Sequence, residues 1–229
     1  MAENISELIS RDDRFPEIAS RYSGKSDKTG ICYHVITQSW ARENIFYSDV
    51  AQYRHNLLCQ MCSDRKIIIV FSVTNPNHSH DVFLVPDWQT LATTMRLLNT
   101  NVSKYVRRQY PNKVKNGKKL FRQDIGYYCV KDIEYLFYLG KYIHDNPLYL
   151  RDAGKPVPFS CFWMFENGYL KEPYREDVYK ELFGLSYKDV YLIYSTMTKK
   201  EVRQYAQERF KGWTKEMNER FFSKPQGNS

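Results

Sequence analysis

The run Ile67-Ile68-Ile69-Val70-Phe71-Ser72-Val73-Thr74, the triplet Asn75-Pro76-Asn77 and the return His78-Ser79-His80-Asp81-Val82-Phe83-Leu84 constrain the fold most. A continuous β-rich apolar run of this length makes a buried strand. Asn-Pro-Asn supplies turn chemistry, so the chain doubles back as a second strand. Side chains two apart on a strand point to one face. His78 and His80 therefore project together, close enough to share a metal ion. The chain has five histidines in 229 residues, so a pair at this spacing is informative.

Other elements follow from periodicity. Residues 31–37 make a first strand. Residues 48–63 are helical, with Val50, Tyr53, Leu57 and Met61 at helical spacing. Pro86-Asp87 starts a helix that runs to about residue 109. Residues 125–130 make a fourth strand. Asp132 opens a helix that ends at Asn146-Pro147. The first six elements are strand, helix, strand, strand, helix, strand, the ferredoxin-like split βαβ pattern. The expected fold is α+β, an antiparallel sheet with helices on one face and a helical C-terminal extension. The expected division is an N-terminal arm at 1–27, a main domain at 28–155, and an extension at 156–229. The extension begins with an aromatic stretch, Phe159, Phe162, Trp163, Phe165, Tyr169 and Tyr174, and continues as two or three charged helices. It suits an appended nucleic-acid or partner-binding unit, or a helical tail packed on the main domain.

Charge points to a polyanionic partner. The formal net charge is +8. Residues 101–119 contain Lys104, Arg107, Arg108, Lys113, Lys115, Lys118 and Lys119, and no acid. Tyr105 and Tyr110 interleave with them. This reads as a loop that contacts phosphates. The chain has 19 tyrosines; these suit base stacking in single-stranded nucleic acid, and equally the half-buried positions of a sheet. The five cysteines show no disulfide framework and no signal peptide precedes them, so a reducing cytoplasm is the simplest compartment. Cys59 and Cys62 form a lone CxxC, without the second pair a zinc site needs. No apolar run approaches the roughly 20 residues of a membrane span.

On a wheel for residues 132–146, Ile133, Leu136, Phe137, Gly140 and Ile143 share a core-facing stripe. Tyr142 falls on nearly the opposite side, with Asn146 one turn later beside it. Tyr142 is then either a half-exposed tyrosine or a nucleophile facing the histidine pair, with Asn146 offering a carbonyl oxygen. Tyr138 shares its face and is the next candidate. His34 and His144 are possible extra groups, the first a core-edge histidine, the second a surface residue or one behind the site.

The segments CYHVITQSWARENIF (32–46), NPNHSHDVFL (75–84) and DIEYLFYLGKYIHDNP (132–147) appear in that order. Together they resemble the single-tyrosine HUH transposases, in particular the REP-associated tyrosine transposases, over about residues 30–165. The resemblance implies a ferredoxin-like nuclease domain that cuts and rejoins single-stranded DNA near hairpins, in the cytoplasm of a prokaryote at the nucleoid. It implies that His78 and His80 hold a divalent metal, that Asn146 completes the site, and that Tyr142 is the nucleophile. It also favours a monomer whose own helix completes its own site. Two departures stand out. The residue between the histidines, commonly bulky and apolar, is Ser79, at an expected cost in packing. The segment commonly aromatic-Gln-Gly-Arg-Phe reads Phe121-Arg122-Gln123-Asp124-Ile125, with an acid where a cation is common.

The chemistry fits these residue types. A tyrosine oxygen can form a covalent phosphotyrosine that stores the bond for rejoining. Two imidazoles and an amide oxygen leave positions for phosphate and water and suit Mg²⁺ or Mn²⁺. Two other readings compete: a catalytically silent relative that binds hairpin DNA or RNA, and an unrelated metal hydrolase on the same fold.

Overall fold

A computed structural model describes residues 31–114, 118–122, 125–148, 159–168 and 170–222. The N-terminal arm, Lys115, Gln123, Asp124 and Tyr169 lie outside the described residues. The elements run β1 (Cys32–Gln38), α1 (Ser48–Asp64), β2 (Ile68–Thr74), β3 (His78–Leu84), α2 (Trp88–Gln109), β4 (Gly126–Cys129) and α3 (Ile133–Asp145). Then follow β5 (Phe159–Ser160), α4 (Cys161–Glu166), α5 (Glu176–Phe183), α6 (Tyr187–Thr196), α7 (Lys199–Arg209) and α8 (Lys215–Phe222).

The strands form one antiparallel sheet in the order β4-β1-β3-β2-β5. Its first four strands have the expected split βαβ topology. Turn chemistry sets the register of the central hairpin: the Asn75 N–H donates to the His78 carbonyl at 2.8 Å. The Pro76 carbonyl accepts from the N–H groups of Ile45 and Phe46, both at 2.9 Å. The histidine turn is thereby pinned to the loop between β1 and α1.

The helices have legible causes. Asp87 caps α2 through Thr90 N, and Asp132 caps α3 through Tyr135 N. On α3 the stripe Ile133, Leu136, Phe137, Gly140 and Ile143 is buried as the wheel requires. Gly140 is needed there, because a Cβ would come within 2.7 Å of the Phe71 ring. On α1 the buried stripe includes Val50, Arg54, Leu58 and Met61, with Tyr53 and Leu57 at its margin. Val50 and Met61 are thus buried as the apolar spacing requires, while Arg54 and Leu58 take the places expected for Tyr53 and Leu57, since Arg54 finds polar partners inside the fold.

Helix α1 meets the sheet face that carries Ser79 and Asp81, while α3 and the extension cover the face that carries His78 and His80. Residues 176–222 form four short helices rather than two or three. Gly184, left-handed at φ 62°, ends α5, and capping boxes at Ser186 and Thr198 restart the chain. The extension is packed on the main domain. Phe71 of β2 is ringed by Phe162, Tyr179, Phe183 and Tyr194 at centroid distances of 5.8 to 6.2 Å. The Tyr194 hydroxyl donates to the Phe137 carbonyl at 2.6 Å. At the far end, Ile31 N–H donates to the Phe222 carbonyl at 3.1 Å, tying α8 to the start of β1.

Candidate active site

β3 carries the centre. His78 and His80 leave the same face, their rings edge to face with centroids 5.0 Å apart. α3 lies over that face and places the Tyr142 ring edge to face with His80 at 5.5 Å. Asn146 caps the C-terminal end of α3, and its Oδ1 accepts a hydrogen bond from the Asn75 amide. The four residues singled out from spacing and resemblance are therefore neighbours, drawn from two elements far apart in sequence.

The imidazoles are held neutral and oriented. His78 Nδ1–H donates to Asn77 Oδ1 at 2.6 Å, which leaves the Nε2 lone pair facing the Asn75 side-chain amide at 3.1 Å. His80 Nδ1 lies 3.0 Å from His34 Nε2, with the two rings stacked at 5.2 Å. If His80 Nδ1–H donates, its Nε2 is free to bind a cation, and His34 is the group that sets that tautomer. Burial pushes His78 down to about 4 and His34 down to about 3. His80 is lowered well below the ordinary range, first by burial and then by its two histidine neighbours. Neutral imidazole is the form that ligates metal.

The opposite face of β3 holds a polar network. Arg54 is wholly buried and donates to Ser79 Oγ at 2.8 Å and to Asp81 Oδ2 at 2.5 Å. Ser72 Oγ donates to Asp81 Oδ1 at 2.7 Å, and Ser79 Oγ to Asp81 Oδ2 at 3.1 Å. Ser79 thus does not leave a packing defect: its hydroxyl is a member of the network that fills the space beneath the histidines. The charged Arg54 on an otherwise buried helix stripe was the available sequence signal.

The basic residues divide into two sets. Arg107 donates to the Lys118 carbonyl, and Lys118 pairs with Glu43. Lys113 sits over the Tyr47 ring at 4.5 Å and the Tyr110 ring at 5.3 Å. Lys104, Arg108 and Lys119 are exposed. The strip returns toward the centre through Arg122, whose N–H donates to the Gln38 carbonyl at 3.0 Å; Gln38 stands opposite His78. His144 is not on the surface. It is buried against Phe162, Tyr191 and Tyr194, because the extension covers that side of α3. Lys199, the first residue of α7, sets its ammonium 5.7 Å from the Tyr142 ring centroid, a contact no local pattern signals.

The sequence model of one family, described as transposase, IS200 like, matches residues 27–146. The chain belongs to the IS200-like transposase family. The matched span of this IS200-like transposase covers β1 through α3 and ends on Asn146. Its family's activity is DNA transposition. Among solved structures the chain is similar to a REP-associated tyrosine transposase bound to a REP hairpin, at 16% identity and a TM-score of 0.47. That match covers 64% of this chain and 85% of the other. It is also similar to a protein of Deinococcus radiodurans R1 assigned as a transposase, at 14% identity and a TM-score of 0.39, covering 53% of this chain and 95% of that one. No curated protein matches the chain.

Proposed function

We propose that this IS200-like transposase is a divalent-metal-dependent enzyme of HUH type that cleaves and rejoins single-stranded DNA near hairpins through Tyr142. The observation that carries the reading is the meeting of Tyr142 with His80, beside His78 and Asn146, within one chain.

The donor set fits a divalent ion. Among the described residues no group of three or more His, Cys, Asp or Glu is placed to hold a metal. Two neutral imidazoles and the Asn146 amide oxygen are the ligands the site offers, a mixture suited to Mg²⁺ or Mn²⁺. When bound, the cation polarises the scissile phosphoryl group and offsets its developing charge.

Tyr142 supplies the nucleophile. Its hydroxyl oxygen attacks phosphorus, a bond forms to the 5′ phosphate, and the bond to the 3′ oxygen breaks. The phenol loses one proton and the departing 3′ oxygen gains one. Attack by another 3′ hydroxyl reverses the step and reseals DNA. His34 and Asn77 hold the two imidazoles in orientation throughout. Among the described residues of the basic strip, Lys104, Arg108, Lys113 and Lys119 are exposed to a DNA backbone, with Arg122 leading to the site. Because Tyr142 meets the histidines of its own chain, the reading favours a monomer with a complete site.

The test is incubation with Mn²⁺ and a labelled single-stranded hairpin, followed by a denaturing gel. A covalent adduct that requires metal and disappears in Tyr142→Phe and His78→Ala is expected. Hairpin binding with no adduct on any hairpin or metal would overturn the reaction and leave a binding module. DNA cleavage that survives Tyr142→Phe would instead indicate a metal hydrolase.

A further inference from the structure

Asn75 directly follows β2 and is wholly buried. Its backbone N–H is held by the His78 carbonyl at 2.8 Å, so its position in the turn is fixed. The side-chain Nδ2 lies 3.1 Å from His78 Nε2 and also donates to Asn146 Oδ1. Those two acceptors are the lone pairs assigned above to the metal. The other end of the amide, Oδ1, is buried and has no hydrogen-bond partner. A buried carbonyl oxygen left unpaired is unfavourable.

A half-turn of the amide exchanges Oδ1 and Nδ2 and leaves the side chain's shape unchanged. Which end points inward therefore depends on what the centre contains. Without a cation, an inward oxygen would face two other lone pairs, and the N–H end is favoured. With a cation, the inward oxygen becomes a donor to it. The spacing suits this role: cis ligands on an octahedral ion at about 2.1 Å stand about 3.0 Å apart. The separation of the Asn75 amide from His78 Nε2 is 3.1 Å.

We propose that Asn75 is a further protein ligand of the divalent metal, turning its amide oxygen inward when the ion binds. The inference rests on the metal reading above. It gives the site two imidazoles and two amide oxygens, which leaves two positions of an octahedron for a phosphate oxygen and water. It also explains an asparagine in a wholly buried position just past the strand. The competing role is a brace, in which Asn75 acts only as an N–H donor to His78 and Asn146.

Mn²⁺ binding by the full chain without DNA separates the two. Free Mn²⁺ would be followed by electron paramagnetic resonance for wild type, Asn75→Ala, Asn75→Asp and, as a lost-ligand reference, His78→Ala. Asn75→Ala is expected to weaken binding about tenfold or more. Asn75→Asp is expected to bind at least as tightly as wild type, since a carboxylate supplies an oxygen and no N–H. A brace predicts the reverse for Asn75→Asp, because a carboxylate cannot donate; an aspartate variant as weak as the alanine variant would overturn the proposal. Unchanged affinity in Asn75→Ala would do the same, and thermal melts of each variant verify folding. A wild-type chain that binds no Mn²⁺ overturns both this inference and the metal reading. Mn²⁺ binding with the expected ranking but no DNA adduct would sink the proposed reaction alone.

Discussion

Arg54 of α1 and Asp81 of β3 form an ion pair, Nη2 to Oδ2 at 2.5 Å, with both side chains wholly buried beneath the histidine strand. Removing one partner leaves the other charge buried and uncompensated. Arg54→Met is expected to cost about 3–5 kcal/mol of stability. Replacing both, as Arg54→Met with Asp81→Leu, is expected to recover part of that loss, because no charge is left unpaired although the buried Ser72 and Ser79 hydroxyls lose their partners. Urea unfolding of the two single variants and the double variant measures the coupling. Additive losses would mean that the pair does not act as a unit.

His34 touches the site only through His80. Replacing it by phenylalanine keeps the ring and removes the nitrogen that orients His80. Metal affinity is expected to fall about 10- to 100-fold, the range for lost partners behind a ligand. The unfolding midpoint should change far less than the affinity. Calorimetric Mn²⁺ titration decides it, and an affinity equal to wild type would remove His34 from the site's function.

Acid should unfold the protein before its carboxylates titrate. Burial lowers His34 and His55 to about 3 and His78 to about 4, against an ordinary value of 6.5. As pH falls below 6.5 the unfolded chain takes up protons that the folded chain refuses. The stability contribution is thus complete above about 6.5 and is lost as pH falls toward 4. The expected loss is on the order of 1 kcal/mol per pH unit per histidine within that window. Urea midpoints at pH 7.5, 6 and 5 in the absence of metal test this. A flat profile across them would show that the imidazoles protonate freely in the fold.

Lys199 brings a positive charge to Tyr142 from outside the span that matches the family. Its ammonium is 5.7 Å from the Tyr142 ring centroid. A cation–π contact at a partly exposed site is worth about 0.5–1 kcal/mol, or roughly two- to fivefold in rate. Lys199→Ala is expected to slow adduct formation by that factor. Lys200→Ala, at the next exposed position, should leave the rate unchanged. Single-turnover adduct assays compare them; equal slowing in both would reduce the effect to net charge.

Local pattern was sufficient for most of the main domain. The hairpin of β2 and β3, the caps at Asp87 and Asp132, and the apolar stripe of α3 are each determined by residues close in sequence. Steric and hydrogen-bond preferences act over one to four residues, so they can be read along the chain. The same holds for His78 and His80, whose common face follows from the two-residue period of a strand. Pattern misjudged the α1 stripe, where Arg54 is buried because its partners lie on β2 and β3. It left His144 open between the surface and a place behind the site; rings from Phe162 and from Tyr194, 50 residues on, bury it.

The sequence by itself determined the order of the elements, the paired histidines and a tyrosine set apart from its helix's apolar stripe. Only the tertiary structure decided that Tyr142 meets His80, that His34 and Asn75 address the same centre, and that Ser79 and Arg54 complete one buried network. Those relations join residues between 25 and 71 positions apart, as with Arg54 to Ser79 and Asn75 to Asn146. Contacts over such separations depend on sheet register and on which face each helix covers. No local propensity encodes either one, because both are settled when the chain buries its apolar surface as a whole.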